Sequence, residues 1–125
     1  MKKILYAEDN VDIGNAVKHL LNCNDFKVKL TCSGKETLEA TKEEEFDLFI
    51  VDSILVDMQG IDLVTKLKKQ NSNSKYILID TRPMAISQKE ELKANGVDDF
   101  MQKPFLKCDL LEKVQNLLRD QSKSF

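Results

Sequence analysis

Three features that would assign this sequence to a protein class at once are missing: a surplus of basic residues, a long apolar run and paired cysteines. The 125 residues carry a formal net charge of −2, so the composition gives no electrostatic case for nucleic-acid binding. The longest apolar runs are far shorter than the roughly 20 residues that a membrane span requires. The chain becomes acidic at Glu8 and Asp9, before the apolar core of a secretion signal could form. We therefore expect a cytoplasmic protein that binds neither nucleic acid nor membrane.

The cysteines are few, and their pattern points to a reducing compartment. Cys23, Cys32 and Cys108 are odd in number and show no CxxC spacing, which is typical of free thiols. Since cysteine often serves as a small apolar residue, we expect these three to be buried or half-buried.

Apolar patterning predicts alternating strands and helices along the chain. Residues 47–51 are almost continuously apolar, which is typical of a central parallel strand buried on both faces. In residues 27–31, lysines alternate with Val28 and Leu30, as expected at a sheet edge. Strands are predicted at 3–7, 27–31, 47–51, 75–80 and 98–102, and helices at 12–22, after 33, after 60, at 88–95 and at 107–119. The sequence thus predicts one layered α/β domain of five βα units.

Capping signals support two of these helix starts and one helix end. Ser33 with Glu36, and Ser87 with Glu90, have the spacing of capping boxes. Gly96 supplies a left-handed stop after the fourth helix.

Acidic, hydroxyl and ammonium groups stand at the ends of four predicted strands. Glu8 and Asp9 follow the first strand, Asp52 ends the third, Thr81 follows the fourth and Lys103 follows the fifth. In an open parallel sheet the carboxyl ends of the strands share one edge, where ligands bind. We therefore expect three carboxylates, one hydroxyl and one ammonium group to converge there.

This set of groups suits a divalent cation and a phosphoryl group. In the doubly wound order 2-1-3-4-5, the first and third strands are neighbours about 4.8 Å apart, so their carboxylates would crowd together. Crowded carboxylates bind a proton or a cation, and oxygen ligands favour Mg²⁺, Mn²⁺ or Ca²⁺. Asp52 is the candidate nucleophile, because a carboxylate can form an acyl phosphate. Lys103 would supply positive charge and Thr81 a hydroxyl donor.

Each of these residues also has an ordinary structural explanation. Glu8, Asp9 and Asp52 could be loop or helix-capping residues, Thr81 could be a strand residue, and Lys103-Pro104-Phe105 could be a tight, even cis, connection. Their occurrence together, on four different strands, makes those explanations insufficient.

With these residues, the chain resembles the receiver domain of bacterial two-component response regulators, and in particular the chemotaxis receivers. The matching segments cover essentially the whole length: residues 4–10, 47–52, 57–60, 96–100 and 103–105. The resemblance implies a flavodoxin-like fold, with a five-stranded parallel sheet in the order 2-1-3-4-5 and helices on both faces. It assigns residues 1–121 to the receiver domain and leaves 122–125 as a frayed tail.

The resemblance also implies a function and the role of each residue. A histidine kinase would phosphorylate Asp52, while Glu8, Asp9, Asp52 and the backbone carbonyl of Ile54 would hold Mg²⁺. Thr81 and Lys103 would bind the phosphoryl oxygens, and the aromatic Phe100 would turn inward as Thr81 moves. The signalling face would consist of the fourth helix, fifth strand and fifth helix. The protein would not be a conventional enzyme, since it would catalyse only its own phosphorylation and dephosphorylation.

Several positions depart from the family pattern. Arg82 replaces a small residue after Thr81, so it would screen the phosphoryl group, reach an acid such as Asp57, or remain solvated. Asp80 is polar where a strand hydrophobe is usual. Because neither Ile54 nor Pro83 can guide water through a side-chain hydrogen bond, we expect a long phosphorylation lifetime. These departures affect the expected rate of phosphorylation chemistry and the access of a phosphodonor more than the resemblance to the family.

Three rival functions can be weighed on the sequence. A haloacid-dehalogenase-type phosphatase needs a second aspartate two residues after the nucleophile, where Ile54 stands. A flavin binder needs a phosphate loop rich in hydroxyls and glycines after the first strand, and the acidic residues there would repel phosphate. A pseudo-receiver, a protein-binding module that is never phosphorylated, remains open.

The output of the protein also remains open. Either the chain acts alone by docking to a partner, or it belongs to a longer regulator with an output domain. Asp98, Asp99 and Lys113 could pair two copies into a homodimer through the face of the fourth helix, fifth strand and fifth helix, although surface charges are more often solvated.

Overall fold

The structure, a computed structural model, describes residues 1–119. Strands and helices alternate without exception over this range: β1 (Lys2–Ala7), α1 (Val11–Asn22), β2 (Phe26–Thr31), α2 (Gly34–Thr41), β3 (Leu48–Asp52), α3 (Gly60–Gln70), β4 (Lys75–Asp80), α4 (Ile86–Ala94), β5 (Asp99–Gln102) and α5 (Lys107–Leu117). Every predicted strand is present, with bounds within one residue of those predicted. The predicted tail at 122–125 lies outside the described residues.

The five strands form one parallel sheet in the order β2-β1-β3-β4-β5, which confirms the predicted fold class. The central β3 is buried at all its positions, whereas β2, at one edge, exposes Lys27 and Lys29. Within residues 1–119, none of the helices has the length and apolar character that crossing a membrane requires.

Two apolar layers, one on each face of the sheet, form the core. On one face, α1 and α5 contribute Val17, Leu21, Leu110 and Val114 to a layer built on Tyr6 and alternating residues of the central strands. On the other face, α2 and α3 cover a layer that includes Phe49 and Tyr76, whose rings stack with centroids 5.3 Å apart. This alternation follows from the two-residue period of a strand.

Helix α4 packs differently from the other helices. None of its residues is buried, and only Leu92 of the helix itself packs partly against the core. A cavity of about 330 Å³ lies between α4, β4 and the start of α3. Helix α4 is therefore held to the sheet by few apolar contacts.

The prediction for the start of α4 was wrong. The helix begins at Ile86, and the N-cap is Ala85 rather than Ser87. The side chain of Gln88 accepts a hydrogen bond from the backbone N–H of Ala85 at 2.9 Å, so Gln88 takes the part assigned to Glu90. By contrast, Ser33 caps α2 as predicted.

The end of α4, by contrast, agrees with the prediction. Gly96 follows α4 with a φ of 102°, as the predicted left-handed stop requires.

The expectation that Cys23, Cys32 and Cys108 are buried was wrong, because all three thiols are free and exposed. Each lies next to a loop or on the outer side of a helix, where the core layers do not reach.

Candidate functional site

The register of the sheet brings the predicted acidic residues together. Ala7 lies opposite Val51 in the β1–β3 pair, so Glu8 and Asp52, the next residues on each strand, are neighbours at the carboxyl edge. In the β4–β5 pair, Asp80 lies opposite Gln102, which places Thr81 level with Lys103. The convergence follows from strand order and register alone.

Three carboxylates and one ammonium group form the centre of the site. The Nζ of Lys103 lies 2.6 Å from Oε1 of Glu8 and 2.7 Å from Oδ2 of Asp52. Glu8 and Asp52 are buried, whereas Asp9 is exposed and faces solvent. Ligand oxygens of Glu8, Asp9 and Asp52 lie within 4.8 Å of one another. We refer to these four residues as the acidic site.

Burial and neighbouring charges both act on the pKa values of Glu8 and Lys103. Burial, reinforced by Asp52, raises the pKa of Glu8 above its ordinary value, although Lys103 and the backbone N–H of Asn10 oppose the rise. Burial alone would lower the pKa of Lys103, but its bonds to Asp52 and Glu8 outweigh burial and raise it. Lys103 therefore stays charged, and the site carries more negative than positive charge.

The donor set and its surroundings fit a hard divalent cation. The ligand atoms are all carboxylate oxygens, which Mg²⁺, Mn²⁺ and Ca²⁺ prefer. Two of the three acids are buried and fixed by hydrogen bonds, while Asp9 leaves the cluster open to solvent. A cation would also relieve the repulsion that one lysine leaves uncompensated.

The loop after β3 holds Asp52 in place. The backbone N–H of Ile54 donates to Oδ1 of Asp52 at 3.2 Å, while the side chain of Ile54 points outward and is 59% exposed. The loop closes through a bridge between Ile54 and Gln59. A Cβ on Gly60 would overlap the carbonyl oxygen of Asp52, so this turn requires glycine.

A side chain from the same loop caps a neighbouring helix. The carboxylate of Asp57 accepts hydrogen bonds from the backbone N–H groups of Gly34 and Lys35, at 2.8 and 2.9 Å. These bonds at the N-terminus of α2 lower the pKa of Asp57. Asp57 is thus engaged with α2 and is not the partner of Arg82.

Thr81 lies at the rim of the acidic site, in a groove. Its side chain is exposed and lines an apolar groove of about 530 Å³ together with Lys103 and Phe105. The opposite wall is α1, through Ile13 and Ala16. The groove therefore connects the first helix with the loop that carries Lys103.

Two unusual residues of the sequence prove to be partners of each other. Asp80 is buried on the α3–α4 side of the sheet, and its Oδ1 accepts from the backbone N–H of Arg82 at 3.0 Å. The Arg82 guanidinium lies 3.3 Å from Oδ2. Burial tends to raise the pKa of Asp80, but the bonds from Arg82 outweigh it and lower the pKa. Asp80 thereby draws Arg82 toward the cavity under α4, not toward the groove that holds Thr81.

Phe100 does not share the site of Asp52. It lies in β5 opposite Leu78, is 9% exposed and belongs to the core layer on the α2–α3 face. The aromatic ring is therefore already turned inward in this structure.

One residue of the site was missed by the sequence reasoning. The hydroxyl of Tyr6 donates a hydrogen bond to Oε1 of Glu8 at 3.1 Å. Burial, together with the charges of Glu8 and Asp52, raises the pKa of this hydroxyl well above its usual range, so it remains a donor. The two-residue period of β1 places Tyr6 and Glu8 on the same face, and that signal could have identified the pair.

Known proteins resemble this chain in sequence and in fold. Residues 4–115 match the family described as response regulator receiver domain. The cell cycle transcriptional regulator CtrA of Caulobacter vibrioides is 30% identical over 117 residues, which make up 94% of this chain and 50% of that protein. The chain thus spans about half the length of the curated relatives it matches.

Solved structures agree over nearly the full chain. A CheY-like response regulator receiver domain protein from Methanospirillum hungatei JF-1 superposes with a TM-score of 0.89 at 28% identity, covering 100% of this chain and 99% of that chain. The chemotaxis response regulator CheY4 of Vibrio cholerae gives a TM-score of 0.86 at 28% identity, with 94% and 99% covered.

Proposed function

This chain belongs to the response regulator receiver domain family, and from that membership we propose that it is a signalling switch in which a histidine kinase phosphorylates Asp52. Phosphorylation and Mg²⁺ binding at an acidic pocket are general features of the family. The observation that carries the proposal is the acidic site itself, in which Lys103 joins Glu8 to Asp52 beside an exposed Asp9.

The residues of the acidic site have distinct parts in the proposed transfer. A carboxylate oxygen of Asp52 attacks the phosphorus of the kinase phosphohistidine, so that a P–O bond forms, the P–N bond breaks and the imidazole leaves. The ammonium of Lys103 pairs with the transferred phosphoryl oxygens. Thr81, at the rim, donates its hydroxyl to them. Most of the catalysis is positioning and charge stabilisation.

We assign the cation to Glu8, Asp9, Asp52 and the carbonyl of Ile54, with Mg²⁺ as the expected ion. When bound, it neutralises part of the negative charge that the phosphoryl group adds to the site. The buried Glu8 and Asp52 supply fixed ligands, and the exposed Asp9 leaves an entry path. The three acids alone bind any hard divalent cation, so Mn²⁺ should substitute.

We place the kinase on the groove between α1 and the loop after β5. The groove reaches Lys103 and Thr81, and its walls are apolar. Val11, Ile54, Val56 and Leu106 are each more than half exposed around the same edge. Exposed apolar side chains that ring a charged site are typical of a protein-binding surface.

A matched pair of donors tests this docking surface. Leu106→Ser should slow phosphotransfer from the cognate kinase, while the rate with acetyl phosphate stays unchanged, because the small donor needs no docking surface. Equal slowing with both donors would assign Leu106 to the acidic site instead.

The output would depend on α4, β5 and α5. Thr81 drawn toward the phosphoryl group would move the loop that begins α4, and α4 is held by few apolar contacts. Since Phe100 is already inward, the movement expected on phosphorylation is that of α4 rather than of this ring. A long phosphorylation lifetime is expected, because Ile54 and Pro83 offer no polar side chain to water.

The partners would be a cytoplasmic histidine kinase and a downstream protein or output domain. A homodimer through α4, β5 and α5 stays a prediction. Lys113 and Asp99 pair with each other within the chain, at 3.1 Å, and Asp98 accepts a hydrogen bond from the backbone of Tyr76. These charges are thus already engaged, which weakens the case for charged pairing between copies.

Reactivity toward acetyl phosphate separates a working receiver from a pseudo-receiver. We expect Mg²⁺-dependent formation of an acyl phosphate in the wild type and none in Asp52→Asn. Asp57→Asn is the matched control, because Asp57 lies on the same loop but faces α2. A wild type that stays unmodified with saturating Mg²⁺ would support the pseudo-receiver.

A further inference from the structure

Tyr6 is a buried tyrosine whose hydroxyl reaches the acidic site from inside the core. Its ring is fully buried in the layer between the sheet, α1 and α5. Its backbone is fixed on both sides, opposite Leu30 of β2 and Ile50 of β3. The hydroxyl therefore has a defined position at the end of β1, 3.1 Å from Oε1 of Glu8.

Glu8 needs such an anchor more than an aspartate would. A glutamate side chain has one more rotatable bond than an aspartate, so more of its conformations point the carboxylate away from a bound cation. Among the described residues, three donors hold this carboxylate: Lys103 at 2.6 Å, Tyr6 at 3.1 Å and the backbone N–H of Asn10 at 3.3 Å.

Lys103 is not expected to hold Glu8 in one position throughout the proposed reaction. It also binds Asp52, and in the proposed reaction it pairs with the phosphoryl oxygens that arrive there. A cation bound by Glu8 would further repel the ammonium group. The neutral hydroxyl of Tyr6 is repelled much less and stays in place, because it is attached to the sheet.

We propose that Tyr6 is a positioning residue, which holds Glu8 in the orientation that binds the divalent cation. This inference rests on the proposed function, in which Glu8 is a cation ligand. Residues that orient metal ligands commonly contribute tenfold or more to metal affinity.

The substitution Tyr6→Phe removes the hydroxyl and keeps the ring. We expect Mg²⁺ to bind about tenfold more weakly, as measured by calorimetric titration of the full chain. With acetyl phosphate, the Mg²⁺ concentration for half-maximal rate should rise by a similar factor, while the rate at saturating Mg²⁺ changes less than about twofold. A loss of stability alone would not raise the Mg²⁺ concentration needed for half-maximal rate while leaving the rate at saturating Mg²⁺ nearly unchanged.

Tyr76→Phe is the matched control. Tyr76 is also fully buried, but its hydroxyl donates to the carbonyl oxygen of Asn71 at 2.8 Å, at the opposite end of the sheet. This substitution should leave the Mg²⁺ affinity unchanged, even if it lowers the free energy of unfolding as much as Tyr6→Phe does.

A double-mutant cycle with Glu8→Asp completes the test. The shorter side chain introduced by Glu8→Asp ends farther from the hydroxyl, so Tyr6→Phe should change the Mg²⁺ affinity of that variant by less than about twofold. If wild type and Tyr6→Phe bind Mg²⁺ equally, the inference is overturned and the proposed function stands. If the wild type binds no Mg²⁺ at millimolar concentration, the proposed function itself fails.

Discussion

Removing the charge of Lys103 should destabilise the protein strongly, and by an amount that the structure lets us bound. The ammonium lies 2.6 and 2.7 Å from Glu8 and Asp52, and the lysine side chain is 15% exposed. Breaking a buried ion pair by removing one partner costs roughly 3–5 kcal/mol. Since Lys103 keeps some contact with solvent, we expect about 3 kcal/mol, at the lower end of that range.

The change Lys103→Met tests this, because methionine keeps most of the apolar stem. In urea, with divalent cations chelated, a loss of about 3 kcal/mol lowers the unfolding midpoint by roughly 2 M if the slope is about 1.5 kcal/mol/M. Lys113→Met is the matched control. Its partner Asp99 lies 3.1 Å away, and both side chains are one-third exposed, so the loss should stay below about 1 kcal/mol.

The stability lost in Lys103→Met should depend on pH, because Glu8 titrates. The pKa of Glu8 is already raised by burial, and losing Lys103 raises it further. A carboxyl with a raised folded pKa contributes stability that is present at low pH and lost as the pH rises through that pKa. The penalty of Lys103→Met should therefore be smaller at pH 5 than at pH 7. A pH-independent penalty, or one no larger than that of Lys113→Met, would refute the reasoning.

Three further predictions concern neighbouring contacts. Asp57→Asn should lower the urea midpoint at pH 7. The lowered pKa of Asp57 contributes stability that is fully present above about 3.9, the ordinary aspartate pKa, and is lost as the pH falls further through the folded-state pKa, so the difference should shrink over that range. Arg82→Ala should cost about 1 kcal/mol by removing the guanidinium donors from the buried Asp80, and Asp80→Val in that background should restore the urea midpoint; additive losses would contradict the pairing. Calorimetry should show tighter Mg²⁺ binding at pH 7.5 than at pH 5. Because the pKa of Glu8 is raised, protons compete with Mg²⁺ for its carboxylate at the lower pH. Equal affinities would argue against Glu8 as a ligand.

The parts of this molecule that depend on chain periodicity could be predicted from the sequence. The apolar runs located the five strands, and the residues that end them identified Glu8, Asp9, Asp52 and Lys103. The strand order, by contrast, came from the resemblance to a known fold, because apolar periodicity does not specify which strands are neighbours.

The parts that depend on side-chain reach could not be predicted. Whether Arg82 turns to Asp80, Asp57 or solvent depends on a few ångströms of loop geometry, and sequence spacing leaves all three open. The start of α4 was misplaced because its N-cap, Ala85, has no side-chain oxygen that would mark a helix start, and Gln88 rather than Glu90 bonds back to the cap. Tyr6 was taken for an ordinary core residue: the period of β1 places it on the same face as Glu8, but whether its hydroxyl reaches the carboxylate depends on side-chain geometry.

The most direct test of the account is to locate the phosphoryl group. The protein is incubated with acetyl phosphate, with Mg²⁺ or with a chelator, and its peptides are mapped by mass spectrometry after trapping of the acyl phosphate. We predict one modified residue, Asp52, with Mg²⁺ only. Modification of Asp57 or Asp80 instead, or modification of Asp52 that is equally fast without a divalent cation, would contradict the central claim.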